Sequence, residues 1–187
     1  MTKELPIEPK TAEKLLDIAI GARQLEIELF WRRSLFFWGF IVTAFFGFVN
    51  ARESHPWLAL ALACFGLVCS AVWAMANRGS KYWFENWGKK ASEYSNAAHG
   101  VNVFEPVPRD LDPRRWLAAR TWSVSRLAIG LSDFVLVFWL GVAILAAASV
   151  SARSGIGSRG AWVAWTLVAA SIGYIGVLAW CAMKTRP

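Results

Sequence analysis

Apolar residues run along the chain in four long blocks, over residues 29–49, 57–76, 127–150 and 161–183. Only the first and third hold a charge: Arg32 and Arg33 near the start of one, Asp133 in the other. A helix needs roughly 20 mostly apolar residues to cross hydrocarbon, because each residue advances about 1.5 Å through a layer about 30 Å thick. Backbone groups in lipid must find partners within their own segment, so each block reads as a helix. The uncharged stretch 34–49 is short for a span. It is expected to cross with Leu29, Phe30 and Trp31 in the interface while both arginines snorkel to phosphates.

Beside the first two blocks the pattern turns periodic. Leu15, Ile18, Ala22, Leu25 and Leu29 recur every three or four residues, with Glu13, Asp17, Arg23, Glu26 and Glu28 mostly off that line. After the second block Trp83, Trp87, Ala91 and Tyr94 repeat the spacing. The pattern predicts one helix over 11–49 and another over 57–98, leaving the membrane on the same side and burying these seams as an antiparallel two-helix stalk. A second reading leaves part of the seam to dock another protein or a second subunit. The prolines of residues 100–113 end the helical signal, and Pro113 is expected to open a short interfacial helix. The expected order is a tail over 1–10, the two long helices, a loop with its interfacial helix over 99–126, and spans over 127–150 and 161–183. The fold class is all-α: a four-transmembrane-helix bundle whose first two helices extend into a cytoplasmic stalk.

Charge supplies the direction. Of the 20 Lys and Arg residues, all but Arg52, Arg153 and Arg159 fall in the N-terminal segment, the middle connection or the C-terminal tail. The positive-inside rule then places both termini and the middle connection in the cytoplasm. The first block lies behind a segment with six acidic residues and without a short basic start, so the N-terminus is expected to be retained. Hydrophobic residues make up 56% of the chain and charged ones 18%, which excludes a disordered chain and suits a soluble domain poorly. Tryptophans at the block ends (Trp31, Trp57, Trp162, Trp165, Trp180) fit the headgroup layer, while Trp38, Trp73 and Trp139 are expected to pack between helices. The net charge of +7 is accounted for by flanks facing anionic headgroups, and no nucleic-acid partner is expected.

Candidate chemistry is sparse. Cys64, Cys69 and Cys181 fall inside spans as small apolar groups, and His55 and His99 lie on opposite faces, so neither a metal site nor a cofactor is expected. Asp133 is the one acid well inside a span. Its readings are a proton- or ion-handling group, or a carboxylate bonded to Arg126, Ser132 or another helix. Intramembrane proteolysis would want paired aspartates or a Ser/His pair, and the spans offer neither, so an enzyme is not expected. Small residues suggest helix-contact faces at Ala143, Ala147 and Ser151, and along Ala161, Trp165, Ala169 and Gly173. Phe36, Phe37, Phe40, Phe45, Phe46 and Phe48 suit a lipid-facing surface or an oligomer seam.

The segments "LFWRRSLFFWGFIVTAFFGF" at 29–48, "WAMANRGSKYWFENW" at 73–87 and "WSVSRL" at 122–127 together resemble a group of short bacterial multi-pass inner-membrane proteins. That group carries an N-R-G-S-K-x-W motif after its second span and has no defined biochemical role. An acidic residue often follows the motif's second Trp, where this chain has Gly88. The resemblance implies a bacterial inner-membrane protein, some relatives being linked to conflict or defence systems. Asn77, Arg78, Gly79, Ser80 and Lys81 form a membrane-exit motif, with Asn77 and Ser80 bonding backbone or headgroups and Arg78 and Lys81 binding phosphates. The expected function is a non-catalytic homo-oligomer that couples its cytoplasmic stalk to a protein partner. The alternative is a small oligomeric channel or transporter using Asp133.

Overall fold

The computed structural model describes residues 8–104, 123–155 and 157–184, and they form four helices: α1 (Pro9–Ala51), α2 (Pro56–His99), α3 (Val124–Ser154) and α4 (Arg159–Lys184). No strand occurs among the described residues. Most of the expected tail and of the 99–126 connection, with its interfacial helix, lies outside them. Each helix is long and apolar enough to cross a membrane. The fold is an all-α, four-helix architecture.

Local chemistry sets the helix ends. Pro9 and Pro56 occupy first-turn positions, where a missing N–H is harmless and the fixed φ suits a helix. Gly100 follows α2 at φ +70°, and its N–H donates to the Asn96 carbonyl at 2.9 Å, a left-handed cap that a side chain would strain. Ser158 caps α4 by accepting from the Ala161 N–H at 3.2 Å. Gly79 does not interrupt α2.

The chain divides into two compact units. One comprises Met1–Phe30 and Gly79–Ser125, where the first part of α1 meets the last part of α2. Leu16 and Ala19 bury against Ala91, with Ile20, Trp87, Tyr94 and Phe104 around them, and Arg23 lies against Gly88. As α1 numbers rise α2 numbers fall, so the pair is antiparallel. Ser95 closes its far end, donating to the Val101 carbonyl at 2.8 Å and accepting from the Val103 N–H at 3.4 Å.

The buried line on α1 is displaced from the expected seam. Ala12, Leu16, Ala19 and Phe30 are buried, whereas Ile18 and Leu25 are 62% and 54% exposed, and Leu15, Ala22 and Leu29 are half-buried. On α2, Ala91 is fully buried and Trp87 and Tyr94 partly so, but Trp83 is exposed and stacks edge-on with Tyr82. The reason is size. Alanines let two helices approach closely, and α2 settles Ala91 against Ala19 and Leu16 rather than against Ile18 and Leu25.

The second unit comprises Trp31–Arg78 and Arg126–Pro187. Its core draws on all four helices: Ala44, Leu60, Ala63, Leu67, Trp139, Ala143, Ala147, Val150, Ala164 and Val168. Trp139 lies flat on Gly66, where an added Cβ would come within 2.5 Å of the indole. The expected α3 face through Ala143 and Ala147 is buried. On α4 the buried line is Ala161, Ala164 and Val168, so Trp165, Ala169 and Gly173 lie on the exposed side. Alanine is too common in this helix for its spacing to single out one face.

Candidate functional site: a polar cluster joining three helices

Polar side chains in the second unit converge where α1, α2 and α3 meet. Trp73 and Asn77 stand one turn apart on α2, as do Ala74 and Arg78, so consecutive residues of the exit motif point in different directions. The Trp73 indole Nε1–H donates to Ser34 Oγ at 3.3 Å, linking α2 to α1. Ser34 Oγ donates in turn to Asn77 Oδ1 at 3.4 Å, and Asn77 Nδ2 donates to the Ala128 carbonyl of α3 at 3.5 Å. Ser34, Trp73 and Asn77 are all buried. Hydrogen bonds at these lengths are weak singly. Together they give partners to groups that would otherwise be costly in an apolar surround.

Arg78 completes the arrangement. Its Nη1 donates to the Ala74 carbonyl at 3.1 Å, and its Nη2 lies 2.8 Å from both oxygens of Asp133 on α3. The two side chains remain 52% and 42% exposed, so this is a rim pair rather than a sequestered one. The Asp133 carboxylate is therefore held from another helix, 55 positions away in sequence. Ser132 is buried with its hydroxyl donating to the Ile129 carbonyl at 2.8 Å, a bond within its own helix. Arg126 starts the second unit's share of α3 and is exposed.

The structure thus unites Asn77, Arg78 and Asp133 and adds Ser34 and Trp73. It leaves the rest of the exit motif in the other unit, where Lys81 reaches Glu85 at 3.5 Å, Ser80 is buried and Gly79 is exposed. Ser34 belongs to the basic-Ser pair that opens the first span in the resembling group, but it was not singled out as a site residue because a lone serine at the head of a span carries no periodic signal. The findable clue was the i, i+4 pairing of Trp73 with Asn77. The cluster offers neither a nucleophile–base pair nor an open acid, and its chemistry is hydrogen bonding and charge neutralisation between helices. Among the described residues no group of three or more His, Cys, Asp or Glu side chains converges as a metal site would require.

A model of the octameric membrane protein family (8xMP) matches residues 13–150, covering most of α1, all of α2 and most of α3, with every member of the polar cluster. The chain belongs to that family. No curated protein and no solved structure matches it. As a member of 8xMP the protein is an oligomeric membrane protein, and a single chain leaves much apolar surface uncovered. Only 17% of the apolar window of α1 and 6% of that of α4 is buried within one chain. Phe36, Phe40 and Phe46 lie on that open surface of α1.

Proposed function

We propose that this 8xMP protein is a non-catalytic component of the bacterial inner membrane, with both termini cytoplasmic, that assembles as an octamer and couples a helical cytoplasmic stalk to a protein partner. The observation that carries this reading is the length of α1 and α2. They run unbroken for 43 and 44 residues, about twice what a span requires. The surplus of each is rich in charge and packs against the other through Leu16, Ala19 and Ala91. Helices that run on unbroken from the spans are suited to passing a displacement between membrane and cytoplasm. The polar cluster supports the same reading, since its donors and acceptors are engaged in joining helices. Basic flanks on the stalk side favour contact with anionic headgroups. The likeness of the exit motif to defence-linked membrane proteins suggests that the partner belongs to a conflict system.

Native mass spectrometry from lipid nanodiscs tests the assembly. The expected species has eight times the 20.8 kDa mass of the chain, and a single-chain mass would sink the proposal. In-cell crosslinking with peptide identification tests the coupling. Crosslinks from residues 8–30 or 79–104 to one recurrent soluble protein are expected, and a map with crosslinks only between copies would remove the partner.

A further inference from the structure

The first half of α1 carries two parallel lines of side chains. The inner one, Ala12, Leu16, Ala19, Arg23, Glu26 and Phe30, alternates steps of four and three, and its Leu16, Ala19 and Arg23 lie against α2. The outer one, Leu15, Ile18, Ala22, Leu25 and Leu29, alternates steps of three and four. At about 100° per residue the centres of the two lines are roughly 100° apart around the helix. A helix with one line for its own partner and a second apolar line at this angle is equipped to touch two neighbours at once. Among the described residues of one chain only the first neighbour is present.

The outer line does not belong in lipid. Lys10, Glu13, Lys14, Asp17, Arg23, Glu26 and Glu28 surround it, a density of charge that hydrocarbon does not accept. Left in water, Ile18 and Leu25 would stand 62% and 54% exposed, one heptad apart, between the half-buried Leu15, Ala22 and Leu29. Aligned exposure of this kind on a charged helix marks a contact surface.

We infer that the Leu15–Ile18–Ala22–Leu25–Leu29 line of α1 is the cytoplasmic contact between neighbouring copies of this chain. The inference rests on the oligomeric reading above and adds the surface by which copies meet outside the bilayer. All copies share one orientation in the membrane, so a contact repeated around an axis along the membrane normal brings the line on one copy against a different face of the next copy's helix pair. A heterologous contact of that type closes into a ring when its rotation divides a full turn, as eight equal steps do.

The test uses the full chain in nanodiscs with a photo-crosslinking phenylalanine analogue at position 18 or 25, and at position 24 as control, since Gln24 is exposed and off both lines. Illumination from 18 or 25 is expected to give a ladder of covalent multiples of the chain, and from 24 a several-fold lower yield. Ile18→Glu with Leu25→Glu is expected to shift the eight-chain mass toward smaller species while helical circular dichroism is retained. An unsubstituted protein of single-chain mass overturns both this contact and the oligomeric reading. An intact oligomer that gives no ladder from 18 or 25, or gives adducts only to a different protein, overturns the contact alone. The crosslinking result decides the matter even where the double variant fails to fold.

Discussion

Asp133 lies in an apolar helix with the Arg78 guanidinium 2.8 Å from both its oxygens. An acid at the centre of a span costs about 2.5–3.5 kcal/mol by insertion scales, and an opposite charge at the rim is the simplest remedy. Because both partners are about half exposed, Asp133→Asn is expected to cost only about 0.5–1 kcal/mol, read as a small drop in detergent melting temperature. Membrane potential, followed with a voltage-sensitive dye in cells, is expected to be the same for wild type and variant. Depolarisation by wild type that Asp133→Asn abolishes would put this carboxylate on a conduction path. Gly66 makes a sharper demand. Its missing side chain leaves room for the buried Trp139 ring, so Gly66→Ala is expected to cost about 1–3 kcal/mol despite alanine's better helix propensity. Gly79→Ala, with nothing within 4 Å of the new methyl, is the control and is expected to leave the melting temperature equal or higher.

At the scale of the element, the helical character of the 8–30 segment was legible in its spacing, but its buried face was not. Two lines with the same three-four rhythm lie side by side there, and a hydrophobicity reading selects the one with Ile18 and Leu25. The one facing α2 is selected by distance between backbones, for which alanine is better than leucine. Ala19→Leu should therefore push α1 away from Ala91, at a cost of about 1–3 kcal/mol. Limited proteolysis would register this as faster cleavage within 79–104, and unchanged cleavage would mean that the helix pair does not depend on close packing at Ala19. On α4 likewise the spacing of small residues did not single out the face buried within one chain: Ala164 and Val168 lie inside, and Trp165, Ala169 and Gly173 on the exposed side.

For the whole molecule, the sequence by itself determined the all-α class and four helices fit to span a membrane. The reason is local: in lipid backbone groups must be satisfied within a helix or between the strands of a closed barrel, and apolar runs of about 20 residues without alternation are too long and too uniform for barrel strands. Assignment to an oligomeric membrane family rests on residues 13–150 and agrees with the apolar surface that one chain leaves open. Tertiary structure alone decided the pairings. Ser34 meets Asn77 across 43 positions, Asn77 reaches Ala128 across 51, and Arg78 finds Asp133 across 55. None of these distances has a period to read, because they depend on how far each helix is rotated and shifted against its neighbours. That rotation is settled by small residues and by which buried polar groups can be given partners, and both are properties of helices already packed together.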